Sequence, residues 1–203
     1  MRKFTVLLVC MLLLGAVAAA QMEAKPLEAP NTELFVGYAF QHADTSGSHV
    51  EVSGVNVSGT PIVSSTNLNG FAFEFSHYLK ARNLGFTFDI GRTTNSRVDS
   101  TGIKYTRTSY MAGPSYRIHR IGFFTANVHA LAGIDRDDFE YPIIGQVLST
   151  KGTDFAAAAG VTFDGNLSKH LAVRLAQVDY LYTHHYGTNE SSFRYTGGVV
   201  ARF

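Results

Sequence analysis

The polar segment that follows residue 41 carries the residue types needed for nucleophilic catalysis. His42 and Asp44 are followed by Ser46 and Ser48, so a general base, a carboxylate and a hydroxyl lie close together in the chain. The same composition is typical of a solvated loop. A histidine and a serine two residues apart would share one face of a strand, but none of the eight histidines has a serine two positions later. We therefore predict no catalytic residues.

Metal chemistry is also weakly supported by the sequence. His184 and His185 in one polar segment, and His42 and His49 in another, are nitrogen donors of the kind that bind zinc. They lack acidic or cysteine partners at a defined spacing. The run 135–140 is acidic, but it has neither the glycine nor the spacing of a calcium loop, and we interpret it as a segment that keeps a loop soluble. No metal and no cofactor are predicted.

The elements that must position the polar residues are strands, because apolar residues recur at every second position. Phe71, Phe73 and Phe75, for example, alternate with Ala72 and Glu74. Each such segment has one apolar face, and a length of about ten residues is what a tilted membrane-crossing strand requires. The eight segments cover residues 34–41, 71–76, 84–91, 109–116, 124–133, 154–163, 171–183 and 192–203.

The seventh segment changes phase. Leu171, Val173 and Leu175 are apolar at odd positions, whereas Gln177 and Asp179 are polar at odd positions. A β-bulge near 175–177 would restore one apolar face; the alternative is two shorter strands. We favour the bulge, which would place Arg174, Gln177 and Asp179 on the same face.

The connections alternate between short and mostly longer ones. Residues 79–83, 117–122 and 164–170 form short connections, and residues 41–67, 93–103, 135–152 and 184–191 form the others. Short periplasmic turns and longer external loops are typical of a bacterial outer-membrane barrel, whose two chain ends both lie in the periplasm when the strand number is even.

The size of the apolar side chains indicates which face points outward. An eight-stranded barrel has room inside only for side chains, and ten phenylalanine rings on the apolar faces would crowd it. The opposite faces are rich in Gly, Ala, Ser and Thr, which do fit. The sequence therefore predicts a barrel with lipid outside rather than a soluble barrel with an apolar core. The ten rings belong to Phe71, Phe73, Phe75, Phe86, Phe88, Phe124, Phe155, Phe163, Phe193 and Phe203.

The charged residues of the polar faces would then project into the interior, where charges must be paired or hydrated. Two interpretations stay open: a gate of rearrangeable ion pairs in a narrow channel, or a polar plug that keeps the interior closed. The predicted interior residues are Glu74, Asp89, Arg107, Arg117, Asp154, Arg174, Asp179, Arg194 and Arg202.

The N-terminus has the features of a cleavable signal peptide over residues 1–20. Arg2 and Lys3 precede the apolar run Phe4–Leu14, and small residues follow before position 21. The run is shorter than the about 20 residues needed to span a membrane. Residues 21–32 are predicted to form a short periplasmic tail, and residues 33–203 the barrel.

Cleavage would change both the charge and the thiol content of the chain. It removes the only cysteine and two basic residues, so 17 minus 2 leaves 15 Lys and Arg against 16 Asp and Glu. A net charge near zero argues against nucleic acid as a partner. The remaining length suits one domain.

These features together resemble the OmpA-like family of small outer-membrane β-barrels. The resemblance covers residues 33–203 and is carried by the eight alternating segments, the 111–114 sequence Met-Ala-Gly-Pro, the 174–180 segment and the terminal Phe203. It implies an all-β fold: an eight-stranded antiparallel up-and-down transmembrane barrel in the bacterial outer membrane. The likeness is closest to barrel-only members of the family.

The final strand resembles the segment by which barrel-assembly machinery is thought to recognise its clients. Thr196, Gly198, Ala201 and the terminal aromatic Phe203 stand at the expected spacing. The resemblance implies a monomer whose partners are outer-membrane lipid, lipopolysaccharide and, during biogenesis, the assembly machinery.

The function that we predict is structural or surface-interacting, without catalysis. The first alternative is a low-conductance porin for small solutes. The second is a lipid-modifying outer-membrane enzyme.

Overall fold

The computed structural model describes residues 30–44, 51–52, 55–56, 65–79, 83–98, 103–121, 123–143, 146–185 and 188–203. The predicted signal peptide and residues 21–29 of the predicted tail lie outside these ranges. In the described part of the chain, no helix has the length and apolar character needed to cross a membrane.

The period-two segments form strands throughout. Eight long strands account for most of the described residues, and two very short ones form a hairpin in the first long connection. The strands are β1 (Thr32–Asp44), β2 (Glu51–Val52), β3 (Val55–Asn56), β4 (Ser65–Tyr78), β5 (Leu84–Val98), β6 (Ile103–Ile121), β7 (Phe124–Ile143), β8 (Gln146–Asn166), β9 (Leu171–His185) and β10 (Thr188–Arg202).

The eight long strands close into one antiparallel barrel in the order β1-β10-β9-β8-β7-β6-β5-β4. Each long strand pairs with its neighbour in the chain, and β10 pairs with β1 to complete the ring. The closing pair ends with reciprocal backbone hydrogen bonds between Thr32 and Phe203, at 3.2 and 2.9 Å. The predicted eight-stranded up-and-down barrel is confirmed.

The apolar faces point outward, as the side-chain sizes predicted. Nine of the ten phenylalanines of the apolar faces are exposed on the outer surface, and Phe73 is half-buried there. The opposite faces are buried inside the barrel and carry most of the charge. An outer surface of exposed rings around a charged interior requires lipid as the outer solvent.

A β-bulge in β9 keeps one face polar along the whole strand. Phe163 of β8 pairs with Ala176, but the next residue of β8, Asp164, pairs with Arg174, so Leu175 is the extra residue. The register of β10 shifts at the same place. The predicted bulge is confirmed, and it brings Arg174, Gln177 and Asp179 to the interior face.

The strands are longer than the alternating segments predicted, mainly at the end of the barrel opposite Thr32 and Phe203. The segment 135–152 was expected to be a long loop, but β7 and β8 stay paired from Phe124 to Ile143, which faces Gln146. That prediction was wrong, because the polar residues from Asp135 onward still alternate between the two faces of β7. We call this end the loop end, and the end with the connections 79–83, 122–123 and 167–170 the turn end.

Candidate functional site

The interior of the barrel is a stack of arginine–carboxylate clusters. Five arginines and eight carboxylates are buried there, and every one of the five arginines contacts at least one carboxylate. They come from all eight long strands. The arginines are Arg107, Arg117, Arg174, Arg194 and Arg202, and the carboxylates are Glu33, Glu74, Asp89, Asp135, Asp137, Asp164, Asp179 and Glu190.

At the turn end, Glu33 joins two arginines. Its Oε1 accepts hydrogen bonds from Arg202 Nε at 2.8 Å and from Arg117 Nη2 at 2.9 Å. The Arg117 guanidinium lies 4.0 Å from the centre of the Tyr78 ring. Arg202 also reaches Asp164 Oδ2 at 3.0 Å. These contacts connect β1 and β10, the two strands that close the barrel, with β6 and β8 across the turn end of the interior.

Arg174 forms the next cluster toward the loop end. Its Nε donates to Asp164 Oδ1 at 3.0 Å, and its Nη1 lies 3.1 Å from Glu74 Oε1. Nη1 also donates to Gln177 Oε1 at 2.7 Å. The ring of Phe35 lies against the guanidinium, 4.3 Å from ring centre to Cζ. Asp164 therefore links this cluster to the turn-end cluster.

Arg194 holds the middle of the barrel. Its Nη1 lies 2.8 Å from Asp89 Oδ1, and its Nη2 lies 2.8 Å from Asp179 Oδ2, so it joins β5 to β9 across the interior. His129 Nε2 lies 2.9 Å from the other oxygen of Asp179. Gln177 Nε2 donates to Asp179 Oδ2 at 2.9 Å, which connects this cluster to the Arg174 cluster.

Two glycines leave the space that this cluster occupies. A Cβ at Gly160 would lie 2.0 Å from Asp179 Oδ1 and 2.6 Å from His129 Nε2. A Cβ at Gly91 would lie 2.4 Å from Arg194 Nη1. Small residues on the polar faces are therefore needed for the ion pairs to form.

The cluster nearest the loop end surrounds Arg107. Its Nε lies 2.6 Å from Asp135 Oδ2 and 3.3 Å from Asp137 Oδ1, and its Nη2 lies 3.6 Å from Glu190 Oε2. The hydroxyl of Tyr105 donates to Asp137 Oδ1 at 2.7 Å. Three carboxylates around one arginine leave this level with an excess of negative charge.

Most of the predicted interior residues lie in the arginine–carboxylate clusters. Eight of the nine are buried there, Arg202 included. Asp154 is half-buried on the interior face at the loop end, where it pairs across β7 and β8 with Asp135. Asp89 and Glu74 are direct neighbours across β4 and β5.

Five interior carboxylates were missed by the sequence analysis. All of them lie where a strand continues beyond its predicted segment. Asp135 and Asp137 had been interpreted as loop residues, although they are in phase with the interior residues Asn127 and His129 of the same strand. Extending each alternation outward would have found them. The missed residues are Glu33, Asp135, Asp137, Asp164 and Glu190.

The residues of the predicted assembly signal are divided between the two faces of β10. Thr196 is buried inside, whereas Phe203 is 61% exposed on the outside. Gly198 pairs with Gly37 and Ala201 with Leu34 at the seam between β10 and β1. The terminal residues are thus also the residues that close the barrel.

Of the histidines considered for catalysis and metal binding, the two whose side chains the structure describes contact different asparagines. His42 Nδ1 lies 2.7 Å from Asn67 Oδ1, and His184 Nδ1 lies 2.7 Å from Asn189 Oδ1, both at exposed positions. Ser46, Ser48 and His49 lie outside the described residues. Among the residues that the structure describes, no group of three or more His, Cys, Asp or Glu side chains is arranged to hold a metal ion.

The sequence matches one protein-family model over nearly its whole length. The family is described as the outer membrane protein beta-barrel domain, and the match covers residues 7–203. The chain belongs to this family. The protein is therefore an integral protein of the bacterial outer membrane, and the predicted membership of a small outer-membrane barrel family is confirmed. No curated protein sequence matches the chain.

Several solved structures share the fold. Neisserial surface protein A is 15% identical, with a TM-score of 0.63 over 87% of this chain and all of that one. The attachment invasion locus protein Ail of Yersinia pestis is 18% identical, with a TM-score of 0.61 over 86% of this chain and 99% of Ail. OprG of Pseudomonas aeruginosa is 13% identical, with a TM-score of 0.51 over 86% and 97% of the two chains. At these identities the likeness concerns the fold.

Proposed function

We propose that this protein is a structural or surface-interaction protein of the outer membrane and that its interior does not conduct solutes. The observation that carries the proposal is the stack of ion-pair clusters, from Glu33 at the turn end to Arg107 near the loop end. Removing one partner of a buried ion pair costs about 3–5 kcal/mol. A conducting state would have to separate several such pairs at once, so the closed interior is strongly favoured.

The surface role follows from which end of the barrel faces outward. The turn end has the short connections and both ends of the barrel, Thr32 and Phe203, which is the periplasmic arrangement in bacterial outer-membrane barrels. The loop end would then face the outside. There the β7–β8 hairpin extends past the charged residues Arg136, Asp138 and Lys151 to the pair between Ile143 and Gln146.

The proposed partners are outer-membrane lipid and lipopolysaccharide, with the barrel-assembly machinery acting during biogenesis. The terminal Phe203 is proposed to act in the assembly signal together with Thr196, Gly198 and Ala201. The mature protein is proposed to be a monomer, because a closed barrel has no open sheet edge to pair with a second copy.

Truncation of the longest hairpin tests the surface role. Glu140 pairs with Ser149, so residues 141–148 can be replaced by Asn-Gly, which favours a tight two-residue hairpin. Ail has been crystallised with the heparin analogue sucrose octasulfate, so immobilised sulfated polysaccharide is a suitable first surface. Cells with the truncated protein are expected to adhere less, while surface level and heat-modifiable migration stay unchanged.

The porin alternative is tested by liposome swelling in small sugars and amino acids. The sealed interior predicts no swelling beyond that of empty liposomes. Swelling by the wild-type protein would overturn the proposal in favour of a porin. An enzyme role has no supporting constellation among the described residues, and unchanged lipid A mass in cells with and without the protein is expected.

A further inference from the structure

Two arginines on the outer surface, unlike the five interior arginines, contact no carboxylate among the described residues. Arg92 on β5 and Arg136 on β7 are both exposed, and their sequence neighbours Thr93 and Asp135 are buried in the interior. Successive side chains of a strand point to opposite faces, so both guanidiniums project outward. Among the described residues, neither side chain takes part in an ion pair or a hydrogen bond.

The sheet register brings the two arginines to either side of one threonine. Arg92 pairs with Thr108 of β6, and Thr108 pairs with Arg136. Thr153 of β8 pairs with Arg136 on the other side. Neighbouring strands are about 4.8 Å apart, so the two arginine backbones are about 10 Å apart and their long side chains can reach one common ligand.

The arginines stand at the edge of the lipid-facing surface. Two positions closer to the turn end lie Ile90 on β5, Tyr110 on β6 and Ile134 on β7. Ile134 is 48% exposed. Phe71 of β4, which pairs with Arg92, is also exposed on this surface. Arginine side chains at such a boundary extend their guanidiniums toward the polar headgroups.

The acidic side chains nearest to Arg136 are already paired. Asp138, two residues along β7, accepts a hydrogen bond from Ser149 at 2.9 Å and lies 3.6 Å from Lys151 Nζ. Glu140 lies 2.9 Å from Lys104 Nζ. The two arginines therefore keep their positive charge available to an external anion.

We propose that Arg92 and Arg136, with Thr108 between them, bind a phosphate group of the glycolipid in the outer leaflet. Guanidinium groups form strong bidentate hydrogen bonds with phosphate, and the threonine hydroxyl supplies a further donor at the centre. We assign the phosphate to lipopolysaccharide because the site lies at the loop end, beside lipid-facing side chains. It thus rests on the proposed orientation, in which the loop end faces outward.

Small side chains just below the arginines leave space for an acyl chain. Ala112, Ala132 and Ala157 are direct neighbours across β6, β7 and β8 on the outer surface. They lie between Phe88 of β5, which pairs with Ala112, and Tyr182 of β9, which pairs with Ala157. The depression continues the site from the headgroup into the hydrocarbon layer.

Binding of fluorescently labelled lipopolysaccharide to refolded protein in zwitterionic detergent micelles tests the site by fluorescence anisotropy. The variant is Arg92→Gln with Arg136→Gln. The matched control is Arg97→Gln with Lys169→Gln, which removes the same charge from exposed positions outside the site. The site variant is expected to bind at least about ten-fold more weakly, whereas the control binds like wild type.

Three results would overturn the proposal: no binding by wild type, equal loss in the site and control variants, or equal binding of dephosphorylated lipopolysaccharide. Heat-modifiable migration shows whether each variant is folded. Should the glutamine variant fail to fold, Arg92→Lys with Arg136→Lys keeps the charge and should bind more weakly than wild type; unchanged binding would overturn bidentate recognition.

The orientation is tested separately. Protease added to intact cells should cleave the β7–β8 hairpin if the loop end faces outward. A hairpin that is protected in cells would contradict the proposed orientation, whereas the micelle titration does not depend on orientation.

Discussion

At the scale of single residues, the barrel depends on glycines, which leave space for the interior ion pairs. Replacing Gly160 by valine would force Asp179 and His129 away from their positions, since even a Cβ would lie 2.0 Å from Asp179 Oδ1. Disrupting this cluster should lower the free energy of unfolding by about 3 kcal/mol or more. Urea titration in lipid vesicles measures the change.

The adjacent Ala159 provides the control for this substitution. Ala159 is exposed on the outer face, so valine there gains contact with lipid and has no ion pair to displace. We expect the stability of Ala159→Val to stay within about 0.5 kcal/mol of wild type. Equal stability of the Gly160 and Ala159 variants would contradict the tight packing of the middle cluster.

The interior partners are the part of the site that the sequence could not provide. Alternation predicted that Arg194 and Asp89 would face inward, but 105 positions separate them in the chain. Their contact depends on the register and tilt of eight strands together, which no single strand encodes. Phe35 shows the same limit, because its ring packs inside against Arg174 while most other phenylalanines face lipid.

At the scale of the strand, the two faces of β4 should respond oppositely to substitution. Phe73 faces outward and Glu74 contacts Arg174 inside. Phe73→Arg puts a charge into lipid, which costs about 2–4 kcal/mol near the bilayer midplane. Glu74→Gln keeps an oxygen that can accept from Arg174 and should cost less. Urea titration of both variants in vesicles compares them; a larger loss for Glu74→Gln would contradict the assignment of the faces.

The bulge in β9 gives a second test at this scale. Deleting Leu175, the extra residue, would leave Arg174 and Asp179 on one face, because the remaining residues alternate without interruption. Deleting Val178 instead would turn either Gln177 or Asp179 toward lipid, because a shift of one residue exchanges the faces of a strand. We expect the Leu175 deletion to fold into vesicles and the Val178 deletion to fail. Equal folding of the two variants would contradict the assignment of the bulge to Leu175.

The sequence predicted the existence and the faces of all eight strands, because alternation over several residues is a strong signal. It failed at strand ends. The segments containing Asp135 and Glu190 are polar on both faces above the lipid belt, so the apolar half of the signal disappears there although pairing continues. The loop-end cluster around Arg107 was missed for that reason.

At the scale of the whole molecule, closure of the barrel should make the protein resist SDS. All eight long strands are paired on both sides, and opening the ring must break a whole seam of backbone hydrogen bonds together. We expect unboiled and boiled samples to migrate differently on SDS gels. Identical migration of protein extracted from membranes would count heavily against the closed barrel.

The central claim is that ion pairs seal the interior from the turn end to the loop end. Planar-bilayer recording on refolded wild-type protein tests it most directly. The stack of clusters predicts a baseline current without discrete steps, at voltages that leave the bilayer intact. Reproducible channel openings that scale with the amount of inserted protein would contradict a sealed interior and identify the barrel as a porin.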